Sequence, residues 1–416
     1  MGPVELCRRR DACRLCGSND IATVLTLTPT PPANAFVGPS RRNEIQEAYP
    51  LEVGFCRECT HVQLMHVVDA SHLFTDYVYV SGTSPVFVRH FQEYSEAVLA
   101  RAGLAPGDLV VEVGSNDGTL LRAFQDRGMS VLGVDPARDI AGRASNAGVE
   151  TWPRFFDASV AAEIRDTRGS AKCVAANNVL AHIDALSETI DAVVDLLAPD
   201  GMLVFEVSYL ADVIEKTLFD TIYHEHLDYH AVAPLVGFLR RSGLELVHVE
   251  HVDTHGGSLR GYACRADGPH PVSGAVEEFV ARERALGLDR EETFIEFGTT
   301  VDVLGERVRD FLEGLRGKGK QIAGFGAPAK ATTLMHQFRL GPDMIEYIVD
   351  DSQWKQGLFT PGLHIPVFAP DSIYSLRPDF LVILAWNFAE IIIRNHSAYR
   401  DSGGKFVVPV PSLTVH

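Results

Sequence analysis

The sequence predicts an α/β protein in which two Rossmann-like units follow a small cysteine-rich module at the amino-terminal end. Apolar strand-like runs alternate with helix-like segments between residues 109 and 207, and the same alternation returns between residues 320 and 387. This rhythm is typical of parallel sheets with helices on both faces. The chain has 416 residues, which is enough for two to four domains, each with its own core.

The charge and the termini restrict the classes of partner. The net charge is −18, from 37 basic and 55 acidic residues, and no basic block is visible, so nucleic acid and anionic membranes are disfavoured. The start of the chain lacks the apolar core of a signal peptide, and no apolar run approaches membrane-spanning length. We therefore expect a cytoplasmic, soluble protein. Its oligomeric state cannot be read from the sequence, and a monomer is compatible with it.

Four cysteines near the amino-terminal end form two C-x2-C pairs, Cys13–Cys16 and Cys56–Cys59. Two such pairs place four thiolates around a tetrahedral zinc ion, with bonds of about 2.3 Å. The alternatives are two disulfides, which a cytoplasmic compartment disfavours, or coincidence. The segment Thr28–Asn34 between the pairs is expected to be a loop. Four sulfur ligands leave no open position, so the predicted Zn²⁺ is structural.

A glycine turn follows the first buried strand of the middle unit. The strand Leu109–Val113 ends at Gly114, a helix starts after Gly118, and the next strand, Ser130–Val134, leads to Asp135. The dinucleotide pattern G-x-G-x-x-G is absent, so a nucleoside without phosphates fits better, with its ribose hydroxyls on the acidic residue. S-adenosylmethionine is the predicted cofactor, and an ordinary βα turn is the alternative. The predicted cofactor-binding residues are Glu112, Gly114, Ser115, Asn116, Gly118, Asp135, Pro136, Phe156, Asn177 and Asn178.

A dense group of proton-handling side chains lies before the helix predicted at Val232–Arg241. Tyr223, His224, Glu225 and His226 follow one another and are expected at the same rim of the sheet as the cofactor. The spacing of the two histidines does not match the zinc-binding H-E-x-x-H pattern. We favour an acid–base cluster over a metal site and over histidines with only a structural part.

Substrate contacts are also predicted in the connection before the middle unit, at Arg260 and in the carboxyl-terminal unit. A polar and aromatic connection before the middle unit contains Tyr77, Tyr79, Ser81 and Ser84, although aromatic packing at a domain seam is an open alternative. Arg260 follows a Gly-Gly pair and is either an anion contact or a surface charge beside a hairpin turn.

The carboxyl-terminal unit repeats the strand–glycine–helix theme at Gly324 and Gly326, where the incomplete pattern makes NAD a weak alternative. Lys330, near the start of the following helix, suits a phosphate. Trp386 and Asn387 end a third buried strand. A degenerate nucleotide-binding unit that binds substrate is therefore favoured.

Taken together, these motifs resemble those of the zinc-containing sugar C-methyltransferases, of the tetronitrose-pathway type, which methylate C3 of thymidine-diphosphate 4-keto-deoxysugars in antibiotic biosynthesis. The resemblance implies His226 as the base, with Tyr223, Glu225, His182 and Tyr77 around a dTDP-4-keto-deoxysugar. It further implies a zinc-binding module at 1–78, an S-adenosylmethionine-binding methyltransferase domain at 79–270, and helices with a Rossmann-like domain for the sugar nucleotide at 271–416. The matching segments are 79–84, 112–118, 177–182, 223–226, 255–260, 324–330 and 385–388.

The chemistry of carbon methylation agrees with this set of groups. A carbon beside a ketone becomes nucleophilic as an enolate, which requires a base at C3 and donors for the C4 oxyanion. We expect Glu225 to orient or charge an imidazole, and Tyr223 or His182 to stabilise the enolate. The competing functions are an O- or N-methyltransferase, an NAD-dependent sugar oxidoreductase and a non-catalytic scaffold held by zinc.

Overall fold

The computed structural model describes residues 6–74, 85–254 and 256–416. Tyr77, Tyr79, Ser81 and Ser84, which the sequence suggests as contacts of the substrate, lie outside the described residues. The described chain is a mixed α/β structure, as predicted, with two large sheets built mainly of parallel strands and two smaller antiparallel sheets.

The amino-terminal module is built from short antiparallel strands. Pro29 lies inside one of them, so the predicted loop at Thr28–Asn34 is wrong in its first half. This strand, β2, is at the edge of its sheet and its register shifts between Leu27 and Thr30, where a missing N–H is tolerated. The elements are β1 (Cys7–Arg9), β2 (Ile21–Thr30), β3 (Tyr49–Cys56), β4 (Val62–Leu64), β5 (His66–Val68) and α1 (Ala70–Phe74).

The middle unit has a seven-stranded sheet. Its helices are α2 (Pro85–Ala102), α3 (Thr119–Gln125), α4 (Arg138–Asn146), α5 (Ala158–Arg168), α6 (Leu186–Leu196), α7 (Leu210–Glu215) and α8 (Val232–Arg241). Its strands are β6 (Leu109–Val113), β7 (Ser130–Val134), β8 (Thr151–Trp152), β9 (Ala171–Asn177), β10 (Leu197–Ser208), β11 (Asp228–Tyr229), β12 (Leu244–Val252) and β13 (Ser258–Arg265), of which β11 belongs to another sheet.

The order of these strands places a crevice next to β6. The sheet runs β12-β13-β10-β9-β6-β7-β8, with β6 to β10 parallel and β13 antiparallel to both of its neighbours, β10 and β12. From β6 the chain first adds β7 and β8 on one side of the sheet, and then adds β9 and β10 on the other side of β6. Ligands of doubly wound sheets bind beyond the carboxyl ends of strands at such a reversal, so the site is expected between β6 and β9.

The carboxyl-terminal unit has a six-stranded sheet in the order β16-β15-β14-β17-β18-β19, with β19 antiparallel to its neighbour. Its helices are α9 (Gly274–Ala285), α10 (Glu291–Arg316), α11 (Ala329–Gln337), α12 (Ser372–Leu376), α13 (Ala389–Asn395) and α14 (Ser397–Asp401). Its strands are β14 (Ile322–Phe325), β15 (Ile348–Val349), β16 (Val367–Phe368), β17 (Phe380–Ile383), β18 (Lys405–Val408) and β19 (Thr414–Val415).

Side chains and strands from all three parts meet around residues 219–230. Strand β11 pairs with β4, so this part of the middle unit extends the sheet of the amino-terminal module. From α11, Thr332 Oγ1 donates to the carbonyl of Ala33 (3.0 Å) and Thr333 Oγ1 donates to that of Ile222 (2.9 Å). One buried apolar cluster, which includes Leu51, Phe205 and Phe406, extends through the three parts.

Among the described residues, none of the helices combines the length and the apolar character that a bilayer crossing requires.

Candidate active site

A cavity of about 1030 Å³ lies beyond the carboxyl ends of β6, β7 and β9, and its lining also includes the start of α11. Most predicted site residues are brought together there. Those that line it are Glu112, Gly114, Ser115, Asn116, Asp135, Pro136, Phe156, Asn177, Asn178, His182, Tyr223, His226 and Lys330. Those that the structure describes outside the lining are Gly118, Glu225, Arg260, Trp386 and Asn387.

The glycine turn after β6 needs left-handed backbone. Gly114, Asn116 and Gly118 have φ of 70°, 49° and 75°, and Gly118 is the N-cap of α3. A Cβ on Gly114 would lie 2.8 Å from a methyl group of Val179, so that only glycine fits against the β9 loop. The turn therefore brings backbone close to the cavity, as the sequence predicts.

Two acidic groups border this turn. Asp135 accepts hydrogen bonds from the backbone N–H groups of Asn116 (2.8 Å) and Ala137 (2.9 Å), which fixes the carboxylate at the cavity wall. Burial raises the pKa of the Asp135 carboxyl despite these bonds. Glu112 is buried more deeply, and desolvation, with the charge of Asp135, raises its pKa well above the usual value. Both carboxylates would be stabilised by a cationic ligand.

The imidazole of His226 is held in one tautomer by the backbone. Its Nδ1 lies 2.8 Å from the carbonyl oxygen of Thr221. A carbonyl can only accept, so Nδ1 carries a proton, and in the neutral imidazole Nε2 then has the lone pair. The phenol of Tyr223, 2.9 Å away, donates to Nε2. His226 thus presents a basic nitrogen beside a phenolic donor at the wall of the cavity.

Aromatic rings stack along this wall. The rings of His182 and His226 are stacked with centroids 5.1 Å apart, and the ring of Phe74 stacks on that of His182 at 5.6 Å. The ring of Tyr223 lies 4.1 Å from that of His226. Burial lowers the pKa of His182 to about 4, so this imidazole is neutral at physiological pH.

Other members of the predicted acid–base cluster lie in the interior. Glu225 is buried, and its carboxylate accepts a hydrogen bond from Asn34 Nδ2 (2.8 Å), a side chain that lines the cavity. The contact that orients His226 at Nδ1 is the Thr221 carbonyl. His224 is fully buried beside the carbonyl of Tyr49, and burial lowers its pKa to about 4.

The carboxyl-terminal unit contributes two lysines to the cavity lining. Lys355 Nζ donates to the carbonyl of Ala327 (2.8 Å). Lys330 Nζ is buried without a hydrogen-bond partner and lies 5.3 Å from the ring of Trp386. Trp386 does not line the cavity itself. Its indole N–H donates to Asp220 Oδ2 (2.6 Å). Asn387, the next residue, is half-buried and does not reach the cavity lining.

The structure places Arg260 away from the cavity, in an internal ion-pair network. Its guanidinium binds Glu206 and Glu250 and lies over the ring of Tyr94, 4.5 Å from the centroid. Burial opposes the charge of Glu206, but a hydrogen bond from His90 and the guanidinium of Arg260 outweigh it and hold the pKa of that carboxyl below its usual value. Arg260 is thus neither of the two alternatives that the sequence suggested.

The four predicted zinc ligands converge, with all their sulfur atoms within 4.8 Å of one another. The sulfur atoms of Cys13 and Cys59 are 3.6 Å apart, and those of Cys16 and Cys56 are 3.5 Å apart. Tetrahedral zinc with bonds of about 2.3 Å requires about 3.8 Å between sulfurs, whereas a disulfide requires about 2.05 Å. The donor set therefore fits Zn²⁺ and excludes disulfides in this geometry.

Family models match three consecutive segments of the chain: a putative zinc binding domain at residues 13–74, a methyltransferase domain at 87–249 and a C-methyltransferase C-terminal domain at 253–411. The C-methyltransferase NovU of Streptomyces niveus is 38% identical over 411 residues, which cover 99% of this chain and 98% of that protein. The chain belongs to the zinc-containing C-methyltransferase family. The resemblance that the motifs predicted is confirmed.

The protein is an S-adenosylmethionine-dependent C-methyltransferase with a structural zinc site. A ubiquinone biosynthesis O-methyltransferase of Burkholderia thailandensis is 26% identical over 162 residues, 36% of this chain and 70% of that protein. Among solved structures, the CcbJ methyltransferase of Streptomyces caelestis has 17% identity and a TM-score of 0.36, over 46% of this chain and 94% of that one.

The residues at the glycine turn and at the end of β9 of this C-methyltransferase fit the methyl donor. Glu112 Oε2, Ser115 Oγ and both side-chain amide atoms of Asn177 are buried without hydrogen-bond partners in the protein. Buried polar atoms are normally paired, so these groups indicate a polar ligand. Carboxylate, hydroxyl and amide groups together suit an amino acid with an ammonium, a carboxylate and a cationic sulfur.

We predict that Arg260→Met destabilises the enzyme without weakening substrate binding. The substitution leaves the buried carboxylate of Glu206 without its guanidinium, which costs about 3–5 kcal/mol. Urea unfolding followed by circular dichroism measures the loss, and steady-state kinetics on the folded fraction is expected to give an unchanged KM for the acceptor. A normal unfolding midpoint with a raised KM would contradict this assignment. Exposed Arg400→Met is the control.

We also predict that zinc removal loosens the amino-terminal module. Chelation, or Cys59→Ser, removes the ion that holds the two cysteine pairs, and Tm is expected to fall by at least about 5 °C. Native mass spectrometry before and after chelation gives the stoichiometry, expected to be one zinc per chain, and adding zinc back to the chelated enzyme should restore Tm. A zinc-free native protein whose Tm is insensitive to chelation would contradict the prediction.

Proposed function

We propose that this C-methyltransferase acts on a thymidine-diphosphate-linked 4-keto-deoxysugar, in antibiotic deoxysugar biosynthesis. It removes the C3 proton and methylates the enolate that results. The observation that carries the proposal is the tautomer of His226, whose basic Nε2 and the glycine turn line one cavity. The motifs that the chain shares with sugar C-methyltransferases support the substrate class.

The contact between His226 and Tyr223 suits proton removal beside a carbonyl. The phenolic oxygen and Nε2 are 2.9 Å apart, so a bound ketone can accept the phenolic hydrogen bond while its α-carbon faces Nε2. In the proposed step Nε2 takes the C3 proton, and the C3–H electron pair forms the C3–C4 double bond as the C4 oxygen gains the charge. The Thr221 carbonyl then stabilises the imidazolium through Nδ1–H.

The charge on the C4 oxygen is the second requirement of the reaction. Tyr223 is the proposed donor to this oxyanion, and His182, stacked on the base, is the proposed second donor. With a pKa lowered to about 4, His182 is neutral and donates without adding a positive charge beside His226⁺. When bound, S-adenosylmethionine supplies an electrophilic methyl group, which the C3 carbanion equivalent accepts.

The size and charge of the cavity support a sugar nucleotide as the acceptor. A volume of about 1030 Å³ exceeds what one small ligand fills, so the donor and a second molecule fit together. Lys330 Nζ, which has no hydrogen-bond partner in the protein, lies in the first turn of α11, where backbone N–H groups also favour an anion. We propose that the diphosphate binds there, with Trp386 holding the lysine from behind.

His226→Asn is expected to lower kcat by about 10²- to 10⁴-fold, because it removes the positioned base. The affinity for S-adenosylmethionine, measured by calorimetry, should stay unchanged. Mass spectrometry of a reaction with a thymidine-diphosphate 4-keto-deoxysugar measures methyl transfer, and NMR in D2O measures exchange at C3 without the donor. The wild-type enzyme is expected to exchange this proton, and the variant should not.

The exposed His416→Asn serves as the matched control for this experiment. Near-normal turnover of His226→Asn would remove His226 as the base. A wild-type product methylated on a hydroxyl, with no exchange at C3, would contradict carbon methylation of this substrate.

Lys330→Met is expected to weaken acceptor binding selectively, because the ammonium is the proposed partner of the diphosphate. The loss of one charge-assisted hydrogen bond, about 1.5–3 kcal/mol, corresponds to a rise of about 10- to 100-fold in KM for the sugar nucleotide. Calorimetry should show weaker binding of dTDP and unchanged binding of thymidine. Exposed Lys318→Met is the control, and equal losses for dTDP and thymidine would contradict the assignment.

A further inference from the structure

Arg14, the second residue of the first cysteine pair, points into the protein between two loops of the active site. Its side chain has no exposed surface. Nε donates to Asp184 Oδ1 (3.0 Å), and Nη1 donates to the carbonyl oxygens of Leu64 (2.9 Å) and Leu227 (3.1 Å). A buried guanidinium with several acceptors is fixed in position, and it fixes the groups that it binds.

The acceptors of Arg14 adjoin the two stacked imidazoles. Leu227 directly follows His226, and Asp184 comes two residues after His182. The N–H of Leu227 also donates to the carbonyl of Ala181 (2.7 Å), which directly precedes His182. Leu227 therefore joins the loop that carries His226 to the loop that carries His182. Arg14 binds both of these loops.

Strand pairing adds to this junction. The carbonyl of Leu227 also accepts the N–H of Leu64 (2.8 Å), and the next residues form β11 against β4. Asp184 binds Arg8 and Arg10 as well, so three arginines of the amino-terminal module meet one carboxylate that lines the cavity. The zinc module is thus connected to both loops through Arg14.

We propose that Arg14 is a positioning residue, which couples the zinc site to the base by setting the place of His226 relative to His182. It touches neither substrate nor cofactor. Zinc holds Cys13 and Cys16 on either side of Arg14, so the ion fixes the backbone from which the guanidinium reaches the two loops. This inference rests on the proposed function, in which His226 is the base.

The second cysteine pair provides a matched control. Arg57 occupies the same place in Cys56–Cys59 as Arg14 in Cys13–Cys16. Its guanidinium instead lies at the surface and binds Asp20 and Glu291. The two arginines share their residue type and their position in a zinc-binding pair, and they differ in whether they contact the active-site loops.

The experiment compares Arg14→Met, Arg14→Lys and Arg57→Met in the full-length, zinc-loaded enzyme. For Arg14→Met we expect kcat and C3 exchange in D2O to fall together by about 10- to 100-fold. KM for the sugar nucleotide, the Kd of S-adenosylmethionine and the zinc content should stay within twofold of the wild type. Arg14→Lys, which keeps a charge and can reach one carbonyl, should retain more activity, and Arg57→Met should match the wild type.

A kcat within twofold of the wild type for Arg14→Met would overturn the proposal. Equal losses of kcat in Arg14→Met and Arg57→Met would also overturn it. If Arg14→Met loses zinc or does not fold, Asp184→Ala decides, since it removes the acceptor in one of the two loop contacts and leaves the zinc ligands intact. A lower kcat at unchanged KM supports the proposal, and an unchanged kcat overturns it.

The same measurements separate this proposal from the proposed function. If the wild-type enzyme neither exchanges C3 nor methylates the sugar nucleotide, the substrate assignment fails. If the wild type exchanges C3 and Arg14→Met does so at the same rate, only the part assigned to Arg14 fails.

Discussion

A carbonyl oxygen has no proton to give, and this limit decides the chemistry of the active site. Because Thr221 presents a carbonyl to Nδ1 of His226, the imidazole must carry its proton there and direct a lone pair from Nε2. The backbone, rather than a charged side chain, therefore sets the tautomer. The same constraint makes Tyr223 the donor in its contact with Nε2, so one carbonyl determines two hydrogen bonds and the place where a proton can be received.

Burial complements this arrangement by removing positive charge from the imidazole stacked on His226 and from two buried imidazoles close to it in the sequence. The pKa values of His182, His224 and His230 are each lowered to about 4 by desolvation, so none of them is a cation at neutral pH. A sulfonium donor is itself cationic, and the carboxylates of Glu112 and Asp135 lie at the wall where such a donor fits. The cavity lining therefore has acidic groups at the glycine turn, while the carboxyl-terminal unit contributes both the ammonium groups of Lys330 and Lys355 and the carboxyl groups of Asp350 and Asp351.

The sequence was most informative where the determinants are local. The turn at Gly114 and the position of Asp135 depend on a strand, a tight turn and a helix within a short span, and the structure matches them. The cysteine pairs were equally legible from their spacing. The place of Arg260 could not be predicted in this way. Ser258 to Cys264 are all buried, so the strand has no alternation of buried and exposed residues, and nothing local shows that Arg260 binds Glu206 and Glu250. Thr221 and Asn34 act through contacts that no local pattern specifies.

The active site depends on more than one part of the chain because the loops of the middle unit and the small zinc module each lack enough stabilising contacts of their own. Loops at the end of a parallel sheet have few backbone partners of their own, so a base carried on such a loop needs support from outside the sheet. Strand β11 obtains this support by pairing with β4, and the peptide of Leu227 obtains it from Arg14. Zinc with four sulfur ligands has no open position for chemistry, but it makes a small module rigid where an apolar core alone would be too small. A structural ion can thus serve catalysis by holding the backbone from which a buried guanidinium reaches two loops.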